Sequence, residues 1–257
     1  MNSFVDAIRS GRAARVGLQA LSQITRERVW EPLNHRYGVP LVAQMAGGRA
    51  VFTEPEAFLS GMFPDVDVAS LVAEHDEVQA ELAQQRARAD LVYGRVFDVE
   101  VGTSLCLYAM TRILKPEHVL ETGVADGVSS FVFLAALARN GAGILHSTDI
   151  RPNAGVLVKE QDQWDLFLLD RRAPARSLTN YVQGLPPLGV FVHDSLHRRA
   201  WQLLELRLAY TRLRSGGVLA SDDVDSSFAY GDFCAEAGLE PSFLFDHRKF
   251  FGAARKA

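Results

Sequence analysis

Acidic residues stand at the ends of the apolar, strand-like segments in the second half of this chain. These residues are Glu121, Asp149, Asp194, Asp222 and Asp223. A carboxylate in such a position can accept both hydroxyl protons of a ribose, which we expect of Asp149. The carboxylates of Asp194, Asp222 and Asp223 would converge and repel one another unless a hard divalent cation such as Mg²⁺ bound between them. Helix caps or solvated charges remain the alternative for these acids.

A glycine-spaced segment, residues 119–130 (VLETGVADGVSS), surrounds the first of these acids. Gly123 and Gly127 can adopt positive φ or let a ligand approach the backbone. The free N–H groups that open the following helix favour an anionic ligand group. The segment therefore predicts a strand, a tight turn and a helix N-terminus that binds a nucleotide-like ligand. A dinucleotide fits poorly, because the GxGxxG pattern counted from Gly123 needs a glycine where Val128 stands.

The elements that would position these residues alternate between strands and helices, which predicts an α/β fold with a parallel sheet and helices on both faces. Strands are predicted near 118–122, 144–149, 164–169, 188–193 and 217–221, and helices near 128–139 and 198–214. Two short apolar runs, 241–245 and 249–253, predict a closing antiparallel pair. In such a sheet the ligand lies beyond the carboxyl ends of the strands, so the functional residues should be strand-end residues.

The composition limits the partners and the compartment. The 257 residues are 48% hydrophobic and 23% charged, with a formal net charge of −4, which offers no basic surplus for a nucleic acid. No apolar run approaches the roughly 18–20 residues that span a bilayer, and the segment MNSFVDAIRSGRAAR lacks the apolar block of a signal peptide. Cys106 and Cys234 lie in apolar helical contexts without metal-type spacing. We therefore expect a cytoplasmic protein with reduced thiols and no membrane or nucleic-acid partner.

The turn from Glu121 to Ser130 resembles that of the class I S-adenosylmethionine-dependent methyltransferases, especially the small-molecule O-methyltransferase branch. The resemblance covers residues 98–253 and includes Asp149, the segment 190–197 (VFVHDSLH) and the segment 215–223 (SGGVLASDD). It implies a Rossmann-like sheet with a helical N-terminal cap, S-adenosylmethionine as the methyl donor and a small hydroxylated acceptor.

The resemblance also implies which residues hold the donor. The methionine part would lie over Gly123 to Gly127, the ribose on Asp149 and the adenine near Asp170. The implied cofactor-binding residues are Glu121, Gly123, Ala125, Asp126, Gly127, Ser129, Asp149 and Asp170.

The three later acids are similar in position to the metal ligands of catechol O-methyltransferases and of the Mg-dependent sugar O-methyltransferases of natural-product pathways. This implies a metal on Asp194, Asp222 and Asp223, with Asp194 also in the reaction centre. His197 stands where the catechol family places its lysine base, and an imidazole is suited to taking a proton from a hydroxyl. A helix cap is the alternative for His197. His193, four residues earlier, is expected to point into the sheet packing instead of forming a zinc pair with it.

Residues 1–97 are predicted to form a helical cap or lid, and residues 98–257 the methyltransferase domain. Helical patterns cover 4–27 and 68–93, and a further helix is predicted over 101–114. Trp30, His35 and Tyr37 mark the region where we expect an acceptor lid or a contact within a homo-oligomer. Two other functions remain open, a nucleotide-cofactor oxidoreductase on a related sheet and a non-catalytic scaffold that binds a partner protein.

Overall fold

A computed structural model describes Arg36 and residues 38–45, 51–158 and 161–257. The helical pattern over 4–27, and Trp30, His35 and Tyr37, lie outside these residues. The described helices are α1 (Val39–Met45), α2 (Pro55–Met62), α3 (Val68–Arg88), α4 (Val101–Leu114), α5 (Val128–Asn140), α6 (Pro174–Gly184), α7 (Arg199–Arg212) and α8 (Ala229–Ala237). The strands are β1 (Val51–Phe52), β2 (His118–Thr122), β3 (Ile144–Asp149), β4 (Trp164–Leu168), β5 (Leu188–His193), β6 (Leu213–Ser221), β7 (Ser242–Asp246) and β8 (Lys249–Arg255).

The eight strands form one sheet in the order β1-β7-β8-β6-β5-β2-β3-β4. Only β8 runs antiparallel, pairing with β6 on one side and β7 on the other. The chain leaves β2 toward β3 and β4, then returns to β5 on the opposite side of β2. This reversal of strand order opens a crevice between the carboxyl ends of β2 and β5, which is where doubly wound sheets bind ligands.

Two apolar cores cover the two faces of the sheet. One contains side chains from α2 to α5, such as Phe58, Leu71 and Phe133, and the other contains side chains from α6 to α8, such as Leu178 and Leu206. The central strand β5 is nearly all apolar because both of its faces are buried. The predicted α/β fold with helices on both faces is therefore confirmed.

The predicted elements agree closely with the structure, apart from five that the sequence did not indicate. The strands, the two helices of the α/β part and the closing antiparallel pair all lie within a few residues of their predicted bounds. Helices α1, α2, α6 and α8 and strand β1 were not predicted. α6 buries only Leu178 and Val182, so its apolar pattern is short, and β1 is a two-residue strand that depends on the edge of β7.

The described part of the predicted cap is continuous with the sheet. β1 extends the sheet by pairing in parallel with β7, and α2 and α3 share a core with α4 and α5.

Cys106 and Cys234 are free and buried, as predicted. Over the described ranges, no helix has both the length and the apolar character that crossing a bilayer requires.

Candidate active site

The turn after β2 is built around positive φ angles. Gly123 has φ +88°, Ala125 +48° and Gly127 +94°, and α5 begins at Val128. A Cβ on Gly123 would lie 2.0 Å from the main-chain oxygen of Asp194, so the loops that follow β2 and β5 cross at this glycine. The glycine is required by this crossing as well as by its backbone conformation.

Asp149, at the end of β3, holds the turn in place. Its Oδ2 accepts hydrogen bonds from the main-chain N–H groups of Val124 (3.0 Å) and Ala125 (3.3 Å), and its Oδ1 accepts one from Arg151 (2.9 Å). The same carboxylate lines the cavity described below. It therefore links the shape of the turn to the ligand space.

Glu121 lies beneath the turn and is fully buried. Its carboxylate accepts hydrogen bonds from the hydroxyls of Ser129 (2.8 Å), Ser147 (2.6 Å) and Ser130. Burial raises the pKa of Glu121 to about 7, against the opposing effect of these hydroxyls. The side chain joins β2, β3 and the first turn of α5, and it does not line the cavity.

Asp126 and Asp170, two further predicted cofactor residues, accept hydrogen bonds from nearby main-chain N–H groups. Asp126 is buried, and its two oxygens accept the N–H groups of Val92 (2.9 Å) and Tyr93 (3.0 Å), which fixes the segment before α4 over the turn. Asp170 is exposed, and it accepts the N–H of Arg172 at 2.9 Å. Neither side chain is among those that line the cavity.

A cavity of ≈ 790 Å³ opens at the carboxyl ends of β2, β3 and β5. This volume is typical of sites for small molecules and cofactors. Its lining joins the turn to a group of charged side chains, and includes Gly123, Val124, Ala125, Ser129, Asp149, Asp194, His197, Asp223 and Lys249. Of the predicted cofactor residues, Gly123, Ala125, Ser129 and Asp149 therefore border this space.

The predicted acids meet two basic side chains at one end of the cavity. The Nζ of Lys249, on β8, lies 2.7 Å from Oδ2 of Asp222 and 3.5 Å from Oδ2 of Asp223. The Nε2 of His197 lies 3.2 Å from Oδ2 of Asp223 and 3.8 Å from Oδ1 of Asp194. Asp223 has φ +48°, a left-handed conformation that Asp tolerates better than most residues, and its carboxylate lies between the two basic groups.

Burial and the Lys249 ammonium set the charges of this group. Burial acts to raise the pKa of Asp222, but the ammonium outweighs it, so the pKa is lowered. Burial acts to lower the pKa of Lys249, but the carboxylates of Asp222, Asp194 and Asp223 outweigh it and raise the pKa. The pKa of Asp194 is raised well above its usual value, first by burial and then by Asp222. Lys249 is therefore a charged ammonium paired with an ionised Asp222.

His197 has the properties of a neutral base. Burial lowers its pKa, and Lys249 and His193 add to this effect, while Asp223 and Asp222 oppose it. Its Nδ1 is buried and has no hydrogen-bond partner among the described residues. Because the neutral imidazole lines the cavity, it can take up a proton from a ligand held there.

His193 lies in the sheet packing, as predicted. It is fully buried, and its Nδ1 contacts the carboxylate of Glu205 on α7. The same carboxylate accepts the hydroxyls of Thr122 (2.6 Å) and Ser195 (2.9 Å). This polar network anchors the loop after β5, which carries Asp194 and His197.

The described residues do not fit the predicted divalent metal. Within the described ranges, no group of three or more His, Cys, Asp or Glu side chains is arranged to hold a metal ion. The position from which a cation would bridge Asp222 and Asp223 is taken by the ammonium of Lys249. Oδ1 of Asp222 is buried without a partner, but one oxygen is far from a coordination shell. The predicted Mg²⁺ on Asp194, Asp222 and Asp223 is therefore not confirmed, and the structure shows Asp222 and Asp223 in an ion pair with Lys249.

Sequence reasoning missed Lys249, Glu205 and the role of Asp126. Lys249 stands at the start of an apolar strand, and only the pairing of β8 with β6 brings it to the acids that follow β6. A lysine within an otherwise buried strand was the one available signal, because such a residue needs a buried partner.

Known proteins match this chain in sequence family and in fold. A family model described as a methyltransferase domain matches residues 120–224. An O-methyltransferase from Bacillus cereus, solved in complex with S-adenosylhomocysteine, is 15% identical, with a TM-score of 0.51, over 80% of this chain and 98% of that one. The O-methyltransferase TomG from Streptomyces achromogenes, involved in tomaymycin synthesis and solved with S-adenosylmethionine, is 14% identical, with a TM-score of 0.50, over 79% of this chain and 96% of that one.

A third solved structure, a methyltransferase from Podospora anserina bound to S-adenosylhomocysteine, is 14% identical, with a TM-score of 0.51, over 71% of this chain and 88% of that one. No curated protein matches the chain. At these identities the structural similarity shows the fold, and the methyltransferase-domain model covers residues 120–224.

Proposed function

We propose that the chain methylates a hydroxyl group of a small molecule with S-adenosylmethionine as the donor, because residues 120–224 match a methyltransferase-domain model and the fold is that of an O-methyltransferase solved with S-adenosylhomocysteine. The observation that carries the proposal is that one cavity joins the glycine turn and Asp149 to His197, Asp194 and Asp223. Donor and acceptor could therefore meet within one cavity, as transfer of a methyl group between two molecules requires.

The donor would occupy the end of the cavity formed by the turn. Gly123 to Ala125 present backbone at close range, and Asp149 presents a carboxylate that can accept ribose hydroxyls while it holds the turn. Ser129, in the first turn of α5, borders the same end. Glu121, Asp126 and Gly127 would act indirectly, by shaping the turn and the segment above it.

The acceptor would have an apolar body. Val92, Phe97, Ile150 and Leu196 are exposed and also line the cavity. Exposed apolar side chains gathered at the mouth of a pocket mark a ligand-binding surface, because a ligand that covers them removes their apolar surface from water. The acid group and His197 would then receive the hydroxyl end of such a molecule.

The transfer itself needs orientation and the removal of one proton. The bound sulfonium supplies the methyl group, whose bond to sulfur breaks as a bond to the acceptor oxygen forms. The cavity walls hold the acceptor oxygen in line with that bond. The His197 imidazole accepts the hydroxyl proton, and the carboxylate of Asp223, 3.2 Å from its Nε2, stabilises the imidazolium. Mg²⁺ has no part in this proposal, since Asp222 and Asp223 are paired with Lys249.

Calorimetric titration with S-adenosylhomocysteine tests the donor site. We expect the wild type to bind, and Asp149→Asn to bind about 10- to 100-fold more weakly, because a carboxylate that accepts hydrogen bonds contributes about 1.5–3 kcal/mol. Asp170→Asn is the matched control, since Asp170 is exposed and outside the cavity lining, and it should bind like the wild type. Circular dichroism checks that Asp149→Asn retains the fold.

Three results separate the competing functions. Tight binding of NAD(P) without binding of S-adenosylmethionine or S-adenosylhomocysteine would indicate an oxidoreductase and overturn the proposal. Binding of neither ligand type would indicate a non-catalytic scaffold. Transfer of a labelled methyl group from S-adenosylmethionine to a panel of phenols and alicyclic alcohols would identify the acceptor class, and transfer to amines alone would contradict O-methylation.

A further inference from the structure

We propose that Lys249 is a built-in cation that takes the place of a divalent metal in the reaction centre and binds the acceptor oxygen. Its Nζ lies 2.7 Å from Asp222 and 3.5 Å from Asp223, and the side chain is 4% exposed while lining the cavity. The part of the proposal that concerns the acceptor rests on the proposed methyl transfer. The part that concerns metal binding stands independently of it.

The positive charge of Lys249 offsets the repulsion between the carboxylates of Asp222 and Asp223. Asp222 is fully buried and Asp223 is largely buried, and two carboxylates so close in a low-dielectric site need a cation between them. Lys249 supplies this cation from the protein itself. It lies on β8, which pairs with β6, and the two acids follow β6 directly along the chain. A divalent ion could bind these oxygens only by displacing the ammonium.

The geometry leaves one donor of the ammonium for a ligand. A lysine ammonium has three N–H donors; one donates to Asp222 at 2.7 Å, and a second can be directed at Asp223, whose Oδ2 lies 3.5 Å from the nitrogen. Because Lys249 also borders the cavity, the third donor can reach an oxygen of a molecule held there. A positive charge at this point would favour the developing negative charge on the acceptor oxygen as His197 removes its proton.

A purely structural role explains these contacts less well. Replacing a buried ion pair by apolar side chains of similar size is often neutral or stabilising, so stability alone gives little reason to keep Lys249 with two acids. The group lies on the cavity wall beside His197, whereas an ion pair needed only for packing could lie anywhere in the core.

Mn²⁺ titration, followed by the loss of the free-ion electron paramagnetic resonance signal, tests the proposal without donor or acceptor. We expect the wild type to bind Mn²⁺ at this group with a Kd above about 1 mM, and Lys249→Ala to bind one ion per chain with a Kd below about 0.1 mM. The double variant Lys249→Ala with Asp222→Asn should lose the gained binding. Lys256→Ala is the control, because Lys256 binds the main-chain oxygens of Tyr210 and Leu213 instead of carboxylates.

Each outcome decides the matter. Wild-type binding of one Mn²⁺ per chain that Asp222→Asn abolishes would overturn the proposal, and so would a folded Lys249→Ala that gains no Mn²⁺. If Lys249→Ala folds only when Mn²⁺ is present during refolding, the ion has replaced the ammonium and the proposal holds. If it does not fold under either condition, the wild-type titration decides.

Activity supplies a second readout. We expect methyl transfer by the wild type to be unchanged by EDTA, and a loss of at least half of the activity in EDTA that Mg²⁺ restores would contradict a built-in cation. Failure to observe any methyl transfer would count against the proposed function, while the Mn²⁺ result would still be readable.

Discussion

The carboxylate of Asp223 lies between two basic side chains. Its Oδ2 is 3.2 Å from Nε2 of His197 and 3.5 Å from Nζ of Lys249. The two basic residues have opposite tendencies within the same group of acids. Burial dominates for His197 and lowers its pKa, whereas the carboxylates dominate for Lys249 and raise its pKa. One group therefore carries a permanent charge, and the other is free to accept a proton.

The low pKa of His197 predicts the pH dependence of methyl transfer. The base is active when neutral, so activity should fall as the pH falls through the His197 pKa, with a midpoint below 6.5. His197→Gln should lower kcat/KM by about 10²- to 10⁴-fold and remove this limb of the profile. The pH profile of kcat/KM is the measurement.

His118→Gln provides the control for that profile. His118 pairs with His146 at the start of β2, away from the cavity lining, so its replacement should leave the midpoint unchanged. An acid limb that persists in His197→Gln would show that another group is the base.

At the scale of elements, the site depends on two loops that cross at the centre of the sheet. The N–H of Asp194 donates a hydrogen bond to the carbonyl of Thr122 at 2.9 Å. The main-chain oxygen of Asp194 also lies where a Cβ on Gly123 would be, 2.0 Å from that position. The turn that would hold the donor and the loop that carries His197 thus support each other.

Gly123→Ala should be strongly destabilising for this reason. The new Cβ would lie 2.0 Å from a main-chain oxygen at a residue with φ +88°, and both loops would have to move. We expect a loss of unfolding free energy of about 3 kcal/mol, from backbone strain and overpacking together. Urea denaturation measures it, and binding of S-adenosylhomocysteine should weaken in parallel.

Gly141→Ala separates the crossing from the backbone conformation. Gly141 has φ +74°, but a Cβ there would have no neighbour within 4 Å. Its replacement should cost only about 1 kcal/mol, the usual penalty of a left-handed conformation. Equal losses in the two variants would mean that the crossing of the loops contributes nothing.

At the scale of the whole molecule, the described N-terminal elements and the sheet share one core. Phe58 on α2 is fully buried and packs at ring-centroid distances of 5.9 Å against both Phe52 of β1 and Phe251 of β8. The same core extends through α3 to α4 and α5. Residues 51–97 should therefore unfold together with the rest of the domain.

Phe58→Ala tests this single core. We expect it to lower the unfolding free energy by about 3–5 kcal/mol, as is usual for a buried phenylalanine. Helix content and tryptophan fluorescence should still change in one coincident transition. Two separate transitions, with only the first one shifted, would support an independently folding N-terminal cap.

The sequence by itself determined the α/β alternation, the strand ends and the turn from Glu121 to Val128, because these depend on local periodicity, on glycine and on the rule that parallel strands end at one edge. It also identified Asp149 and His197 as residues of that edge. What the acids bind was decided only by tertiary structure. Lys249 is more than 20 residues from Asp223 along the chain, and the antiparallel pairing of β8 with β6 brings its ammonium to the acids. A long-range ion pair of this kind leaves no periodic trace in the sequence, so the carboxylates alone suggested a metal where the fold supplies a lysine.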